Sequence, residues 1–417
     1  RVRSSAASDV YKRQAQGKAA AQARAQQAGT AQREHAHYVR VMRVLKRVLG
    51  GPICRALGFC APVCAPECGP MLVVANHNMD FDPILLSMAF EPYLYFVASE
   101  HVFRWGLLSR LLVWAFSPIA RMKGTADAQS AVHILRRLRR GYNVCLFAEG
   151  DRSFNGVTGP ILPATGKLAR ASRASLVTYR IEGGYLSTPR WAFTRRRGRI
   201  SGELVHVYSP AQLAAMTDEQ VNAAIAADLY EDAFARQQQR RQRFAGRRLA
   251  EGLEYALYLC PRCGRAGTLR GAGDRFCCDC GLSVRYDEYG FFTGEDAPFS
   301  TVRDWDAWQR GETKRLAAAA RETPDAPVFS DPGQRLLRID GERHRAVPVD
   351  EGTLSLSLRE LRVGGTAFPL ERVTDLALCG RARMVFFSGG TQYEISAKPA
   401  CCGYKYAVLL HEWKGTR

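Results

Sequence analysis

Between Met71 and Tyr208 the sequence alternates short apolar runs with segments of helical periodicity, and this alternation constrains the fold more than any other feature. Each apolar run has the length of a strand that is buried on both faces, and the amphipathic segments are long enough to cover it. The predicted strands are Met71–Ala75, Tyr93–Ala98, Asn143–Phe147, Ser175–Ile181 and Glu203–Tyr208. The pattern predicts an α/β domain with a largely parallel sheet flanked by helices.

The helices of this domain are predicted from apolar residues that recur at helical spacing. They are Trp105–Phe116, Ala128–Arg140 and Asp218–Leu257. In the second of these helices, Val132, Leu135 and Leu138 are expected to face inward, and Gly141 is expected to end the helix.

Two side chains suited to proton transfer follow the first strand. His77 and Asp82 lie in the segment Asn-His-Asn-Met-Asp-Phe-Asp, and α/β folds usually keep their chemistry in loops at strand ends. A carboxylate beside a histidine fixes the imidazole tautomer and stabilises the imidazolium that forms during general-base catalysis. From spacing alone, the alternative is a capping Asn76 next to a surface histidine.

A second polar loop follows the strand Asn143–Phe147 and reads Ala-Glu-Gly-Asp-Arg-Ser. Gly150 permits a tight turn, and the planar guanidinium of Arg152 is suited to bind a phosphate group. Glu149 and Arg152 by themselves are also consistent with a local ion pair. Between the two loops, Ser-Pro-Ile-Ala-Arg is a strand-like piece that ends in Arg121.

Together these three segments resemble the motifs of the lysophosphatidate acyltransferase (1-acyl-glycerol-3-phosphate acyltransferase) family. The first family motif is Asn-His, four residues and Asp, which here is Asn76, His77 and Asp82. The second motif ends in an arginine, here Arg121. The third is Phe-Pro-Glu-Gly-Thr-Arg-Ser, which Phe147–Ser153 matches, and the resemblance covers about residues 40–230.

The resemblance implies a glycerolipid acyltransferase-like fold and an enzyme of phospholipid synthesis. It would move a fatty acyl group from acyl-CoA or acyl carrier protein to the hydroxyl of a lysophospholipid, 1-acyl-glycerol-3-phosphate, without a catalytic cofactor. His77 and Asp82 would be catalytic. The implied substrate-binding residues are Asn76, Arg121, Glu149, Gly150, Arg152 and Ser153. The alternative is a catalytically inactive lipid-binding or scaffold protein that keeps an acyltransferase shell.

The third motif departs from the family pattern at two positions. Ala148 and Asp151 replace the usual Pro and Thr. A carboxylate at position 151 would weaken phosphate binding by the neighbouring arginine unless it points away. The family often has a lysine between the first two motifs that helps to hold the acceptor phosphate. This chain lacks it, and Arg104 or Lys123 are the candidates to replace it.

Two Cys-x-x-Cys pairs lie beyond the region of resemblance, and a glycine follows each pair. Four thiolates on two tight turns meet the tetrahedral demand of structural Zn²⁺. The predicted ligands are Cys260, Cys263, Cys277 and Cys280, and Cys278 is taken as the extra thiol. A closed four-cysteine zinc ribbon has no open position for a substrate, so its metal is expected to be structural.

The formal net charge of +19 favours an anionic partner: nucleic acid, a membrane surface or a phosphate-bearing substrate. Apolar residues follow one helical face within Tyr38–Leu49, namely Val41, Val44, Leu45, Val48 and Leu49. Such a basic amphipathic helix either lies in an anionic membrane interface or packs on its own protein. We expect a protein at the cytoplasmic face of the membrane without a transmembrane helix. Nucleic acid is unlikely because Phe276 and Tyr286 are too few for a stacking platform.

The predicted organisation has five parts. They are a leader at 1–37, an acyltransferase domain at 38–258, a zinc ribbon at 259–295, a linker helix at 296–330 and a small pleckstrin-homology-like β domain at 331–417. Residues 1–14 resemble a translated adapter sequence, so we expect the leader to be an artefact or disordered.

Overall fold

The computed structural model describes residues 3–99, 102–103, 106–121, 128–295, 297–340, 345–397 and 401–415. Side chains are described from residue 29 onward, except those of residues 108 and 397. All structural statements below refer to these residues.

A seven-stranded sheet carries the first half of the chain, with strand order β1-β7-β6-β2-β5-β3-β4. Its strands are β1 Phe59–Cys60, β2 Met71–Ala75, β3 Leu94–Ser99, β4 Ile119–Arg121, β5 Asn143–Phe147, β6 Ser175–Glu182 and β7 Ile200–Tyr208. Neighbouring strands run parallel except β6 and β7, which are antiparallel. The prediction of a largely parallel α/β sheet is confirmed.

Helices cover both faces of this sheet. They are α1 Arg3–Leu57, α2 Asp82–Ala89, α3 Leu107–Phe116, α4 Ala128–Arg139, α5 Ala164–Ser172, α6 Gly184–Ser187, α7 Pro210–Ala215, α8 Asp218–Leu229 and α9 Ala233–Gln239. Alternate residues of β2 enter different cores: Leu72 and Val74 pack with α4 and α8, whereas Val73 packs with α2. The alternation follows from the two-residue period of a strand, and it buries β2 completely.

Two predicted helices differ from the observed ones at their ends or faces. Helix α1 begins at Arg3 and so includes the predicted leader, whose assignment as an artefact or as disordered stays a prediction. In α4 the buried residues include Ile134 and Leu138, whereas Val132 is exposed, which corrects its predicted inward position. The apolar face of α4 is rotated toward Ile134 because that residue packs against the sheet core.

The prediction of one helix over Asp218–Leu257 is wrong. Helix α8 ends at Leu229, and α9 begins after Asp232, whose carboxylate accepts hydrogen bonds from the backbone N–H groups of Phe234 and Ala235. An aspartate in this position satisfies the free donors of a new helix start, so it favours two helices over one. Beyond α9 the segment up to Leu257 contains only a short 3₁₀ turn.

The cysteine-containing segment forms a four-stranded antiparallel sheet of order β11-β10-β9-β8. Its strands are β8 Leu269–Ala272, β9 Arg275–Cys278, β10 Ser283–Tyr286 and β11 Phe292–Thr293. A helix, α10 Val302–Ala319, follows it and matches the predicted connecting helix.

A second seven-stranded sheet closes the chain, antiparallel throughout, with strand order β15-β14-β13-β12-β18-β17-β16. Its elements are β12 Phe329–Asp340, β13 Arg345–Leu356, β14 Glu360–Val363, β15 Thr366–Pro369, β16 Ala377–Cys379, β17 Arg383–Ser388, β18 Thr391–Ala397 and the final helix α11 Gly403–Gly415. The predicted β-rich segment is confirmed, and the pleckstrin-homology-like assignment stays a prediction.

The hydrophobic cores cross the predicted boundaries between these parts. One core combines Trp191 of the first half with Phe276 of the cysteine segment and Trp305 of α10. Another combines Tyr258 with residues of the final sheet and Tyr406 of α11. The parts are therefore packed against one another through shared apolar residues, and the linear boundaries remain predictions.

Candidate active site

Strands β2 and β5 are adjacent and parallel, and their last residues, Ala75 and Phe147, are register partners. The loops that follow them begin side by side at the carboxyl edge of the sheet, where ligand sites of open α/β sheets lie. The rings of His77 and Phe147 stack with their centroids 4.1 Å apart. The first and third motifs, far apart in the sequence, thus meet at one edge.

His77 and Asp82 form a direct pair. Nδ1 of His77 lies 2.8 Å from Oδ2 of Asp82, and the backbone N–H groups of Asn78 and Met79 donate to that same oxygen at 2.7 and 2.9 Å. Asp82 is fully buried at the start of α2, whereas the His77 side chain is 21% exposed. Among the described residues, no hydrogen-bond partner occupies Nε2, so this nitrogen is placed to accept a proton from a substrate.

Glu149 holds the loop that carries His77 through hydrogen bonds to the backbone. One carboxylate oxygen accepts a hydrogen bond from the backbone N–H of His77 at 2.7 Å, and the other accepts one from Gly159 at 2.6 Å. Burial raises the pKa of Glu149 from 4.5 to about 8. Both oxygens accept backbone hydrogen bonds, so Glu149 holds the main chain of His77 in place. Its role in substrate binding stays a prediction.

Asn76 and Ser153 also turn inward. The side chain of Asn76 is fully buried and makes two hydrogen bonds to the backbone of Ile181 at the end of β6. The hydroxyl of Ser153 donates to the carbonyl of Val157 and accepts from the N–H of Gly156. Both side chains thus use polar groups to fix the loops, and their role in substrate binding stays a prediction.

Arg152 does not pair with Glu149. Its guanidinium lies 2.9 Å from the carboxylate of Asp80, a residue between the motif histidine and aspartate. The Arg152 side chain is 9% exposed and Asp80 is 69% exposed, so the pair lies at the surface end of a buried arginine. Burial lowers the pKa of Arg152 from its ordinary value, the nearby Arg190 lowers it further, and Asp80 opposes the shift.

The second motif lies close to the third motif at Gly150. This glycine has φ +74°, and a Cβ built on it would lie 3.4 Å from Nη1 of Arg121. Arg121 ends β4, at the same edge of the sheet as His77. The three motif segments therefore converge. Arg104 and Lys123, the candidates to replace the missing lysine, lie outside the described residues.

Sequence reasoning missed two residues of this region. Asp80 could have been identified from the sequence, because it is an additional carboxylate inside the first motif. No sequence pattern identified Arg190, because it lies in an irregular segment. Its guanidinium is nevertheless 2.7 Å from Asp151.

A second cluster consists of four cysteines. Their Sγ atoms, those of Cys260, Cys263, Cys278 and Cys280, all lie within 4.8 Å of one another. Cys260 is 3.7 Å from Cys280, and Cys263 is 3.8 Å from Cys278. A tetrahedron with Zn–S bonds of about 2.3 Å has edges of about 3.8 Å, so the set fits structural Zn²⁺.

Cys278, not the predicted Cys277, completes this cluster. Side chains alternate along β9, so neighbouring cysteines point to opposite faces. Cys277 lies on the face of its register partner Ser283, 3.3 Å from the hydroxyl, whereas Cys278 faces Cys263. Hydrogen bonds from Arg265 lower the pKa of Cys263 to about 6, which favours the thiolate that a metal requires.

None of the helices in the described part of the chain combines the length and the apolar character needed to cross a membrane.

Comparison with known proteins finds a family match for part of the first half of the chain. Residues 64–182 match the model of the acyltransferase family. No curated protein matches the chain significantly. Among solved structures, it is similar to the 1-acyl-sn-glycerophosphate (LPA) acyltransferase PlsC from Thermotoga maritima. That similarity has 18% identity and a TM-score of 0.38, and covers 45% of this chain and 75% of the other. The family match includes all three motif loops that meet around His77, so residues 64–182 are an acyltransferase-family domain.

Proposed function

We propose that this protein transfers a fatty acyl group from a thioester to the hydroxyl of a lysophospholipid. The observation that carries the proposal is the His77–Asp82 couple, in which the histidine is partly exposed and the aspartate is buried, near two arginines at the carboxyl edge of the sheet. The family resemblance supplies the acceptor, 1-acyl-glycerol-3-phosphate, and the donor, acyl-CoA or acyl carrier protein.

In the proposed reaction, Nε2 of His77 takes the proton of the acceptor hydroxyl. The oxygen attacks the thioester carbonyl carbon, the C–O bond forms and the C–S bond breaks. The departing sulfur then receives the proton from the imidazolium. Asp82 holds Nδ1 and stabilises the imidazolium charge, and its own position is fixed by two backbone N–H groups.

Arg152 and Arg121 are proposed to bind the acceptor phosphate. Asp80 pairs with the Arg152 guanidinium, but the Asp80 side chain is mostly exposed. An exposed ion pair contributes little stability, so a phosphate dianion with two charge-assisted bonds is expected to displace it.

A peripheral membrane position is supported by the apolar surface of α1 and α3, which contact each other. Val44 and Val48 on α1, and Leu107, Leu111 and Trp114 on α3, are exposed. Basic residues of α1, including Arg43 and Arg47, are also exposed and suit anionic head groups.

The cysteine cluster is proposed to hold Zn²⁺ through Cys260, Cys263, Cys278 and Cys280. Four protein thiolates would leave the ion without an open position, so its role would be to stabilise the fold.

Replacement of His77 with Ala tests the proposal. Acyl transfer from a labelled acyl thioester to 1-acyl-glycerol-3-phosphate should fall about 100-fold or more, because the base is lost. His133→Ala, at an exposed position of α4, is the matched control and should keep wild-type turnover. Retained turnover in H77A would refute the assignment. A wild-type protein that binds the lipid without turnover would favour the alternative of an inactive lipid-binding protein.

A further inference from the structure

Asp151 creates an electrostatic difficulty for the proposed phosphate site. It precedes Arg152 in the chain, and its Oδ1 accepts a hydrogen bond from the backbone N–H of Arg152 at 2.9 Å. This bond keeps the carboxylate close to the arginine. An unneutralised carboxylate in that position would repel an acceptor phosphate and compete for the guanidinium.

Arg190 neutralises this carboxylate. Its Nη1 lies 2.7 Å from Oδ1 of Asp151 and donates to the carbonyl of Arg152 at 3.1 Å. The Arg190 side chain is only 1% exposed. A buried guanidinium keeps its place only when its donors are satisfied, so its other partners decide how firmly it is held.

Those other partners belong to the final sheet. Nε of Arg190 donates to the carbonyl of Gly380 at 2.8 Å, and Nη2 donates to the carbonyl of Leu378 at 2.6 Å. Leu378 lies in β16, and Gly380 lies in the turn between β16 and β17. The turn also holds Arg381, which donates to the carbonyl of Ala192 at 2.6 Å. Arg190 thus donates to the final sheet, and Arg381 of the final sheet donates back to the segment that contains Arg190.

The loop that carries Arg152 has further contacts with the C-terminal half. The guanidinium of Arg190 lies 4.2 Å from the ring centroid of Phe154, and that ring stacks on Tyr404 of α11. The side chain of Asn155 donates to Asp306 of α10 at 2.9 Å. The final sheet, α10 and α11 therefore all contact residues of the loop after β5. Without these C-terminal elements, this loop would lie at the surface of the catalytic domain.

We propose that Arg190 is a positioning residue: held by the turn of the final sheet, it neutralises Asp151 and thereby keeps Arg152 available for the acceptor phosphate. This inference rests on the proposed function of the site. It gives the C-terminal β domain a role in acceptor binding, and it explains how the chain tolerates a carboxylate where the motif usually has threonine.

The test compares Arg190→Gln with Arg190→Lys in the full-length protein. Both variants lose the guanidinium contacts, but only Lys keeps the charge that neutralises Asp151. R190Q should raise the KM and Kd for 1-acyl-glycerol-3-phosphate about tenfold, whereas R190K should raise them less than about threefold. Adding Asp151→Asn to R190Q should restore most of the lost affinity. With monoacylglycerol as the acceptor, R190Q should show no such increase in KM.

Arg196→Gln is the matched control. Arg196 is also buried, and its guanidinium donates to the carbonyl of Leu249 and lies over Trp191, away from the Arg152 loop. R196Q should lower stability without a selective change in KM for the phosphate acceptor. A selective change of the same size in R196Q, or in R190K as large as in R190Q, would overturn the proposal.

The two hypotheses fail differently. If the wild type binds 1-acyl-glycerol-3-phosphate in a manner that requires Arg190 but does not transfer the acyl group, the proposed function fails and the inference stands. If the wild type transfers the acyl group and R190Q does so with unchanged KM and Kd, the inference fails. The absence of restoration in R190Q/D151N also contradicts the inference, because the effect would then not act through Asp151.

Discussion

At the scale of single residues, the candidate site depends on how each carboxylate is used. Oδ2 of Asp82 accepts from His77 and from the backbone N–H groups of two residues that precede α2, so three hydrogen bonds fix its position. Glu149 holds the backbone of His77 from the other side. The two carboxylates fix the histidine at its ring and at its main chain, which is the preorganisation that general-base catalysis needs.

Glu149 makes the stability of the protein depend on pH. Its pKa is about 8 in the folded chain and near 4.5 in the unfolded chain. Between these values the folded state keeps a proton that the unfolded state has released, so this contribution to stability falls as pH rises from 4.5 to 8. Glu149→Gln removes the titration. The unfolding free energy of the wild type relative to E149Q should fall with pH, by at most about 1.4 kcal/mol per unit.

Urea unfolding of both proteins at pH 5.5, 6.5 and 7.5 measures this difference. A difference that stays constant, or that grows with pH, would mean that Glu149 is ionised in the folded protein.

At the scale of elements, the turn after β5 brings the second and third motifs together. Gly150 adopts a left-handed conformation, and an added Cβ would lie 2.8 Å from Cδ1 of Leu162 and 3.4 Å from Nη1 of Arg121. Only glycine allows this backbone to pass so close to both side chains. The contact with Leu162 is the one that an added Cβ would force to shift.

Gly150→Ala should lower stability by about 1–2 kcal/mol, because an L-residue in this conformation is strained, and it should raise KM for the phosphate acceptor because the contact with Leu162 would shift the loop that carries Arg152. Gly141→Ala is the matched control. Its φ is +83°, but no atom lies within 4 Å of the added Cβ. G141A should lose similar stability with unchanged KM; equal kinetic effects in both variants would contradict the argument. Urea unfolding and steady-state kinetics measure the two effects.

At the scale of the whole molecule, shared cores join the acyltransferase domain to the segments that follow it. The core with Trp191, Phe276 and Trp305 includes Cys260 and Cys278 of the four-cysteine cluster, which is proposed to bind Zn²⁺. Loss of the metal should therefore disturb packing beyond the cysteine segment, since ligand binding free energy is part of the folding free energy.

Cys278→Ser should abolish stoichiometric zinc binding and lower the apparent Tm by about 5 °C or more, whereas Cys277→Ser should leave both unchanged. Metal analysis of the purified proteins and thermal unfolding provide the measurements. Zinc loss in C277S with retention in C278S would restore the assignment made from sequence and refute the geometric one.

The sequence by itself determined the features that depend on local periodicity and spacing. Alternating apolar runs predicted the strands of the parallel sheet, and the spacing within the motifs brought out His77 and Asp82 as a pair. These features are readable because the residues involved lie within one strand or one loop, so chain geometry alone relates them.

The tertiary structure alone decided the features that depend on distant partners or on register. The inward orientation of Asn76 requires Ile181, and the burial of Arg190 requires carbonyl groups of β16 and its turn. The choice of Cys278 over Cys277 required the register of β9, since a shift of one residue reverses every side chain of a strand. No local pattern contains this information, because these contacts join segments that only folding brings together.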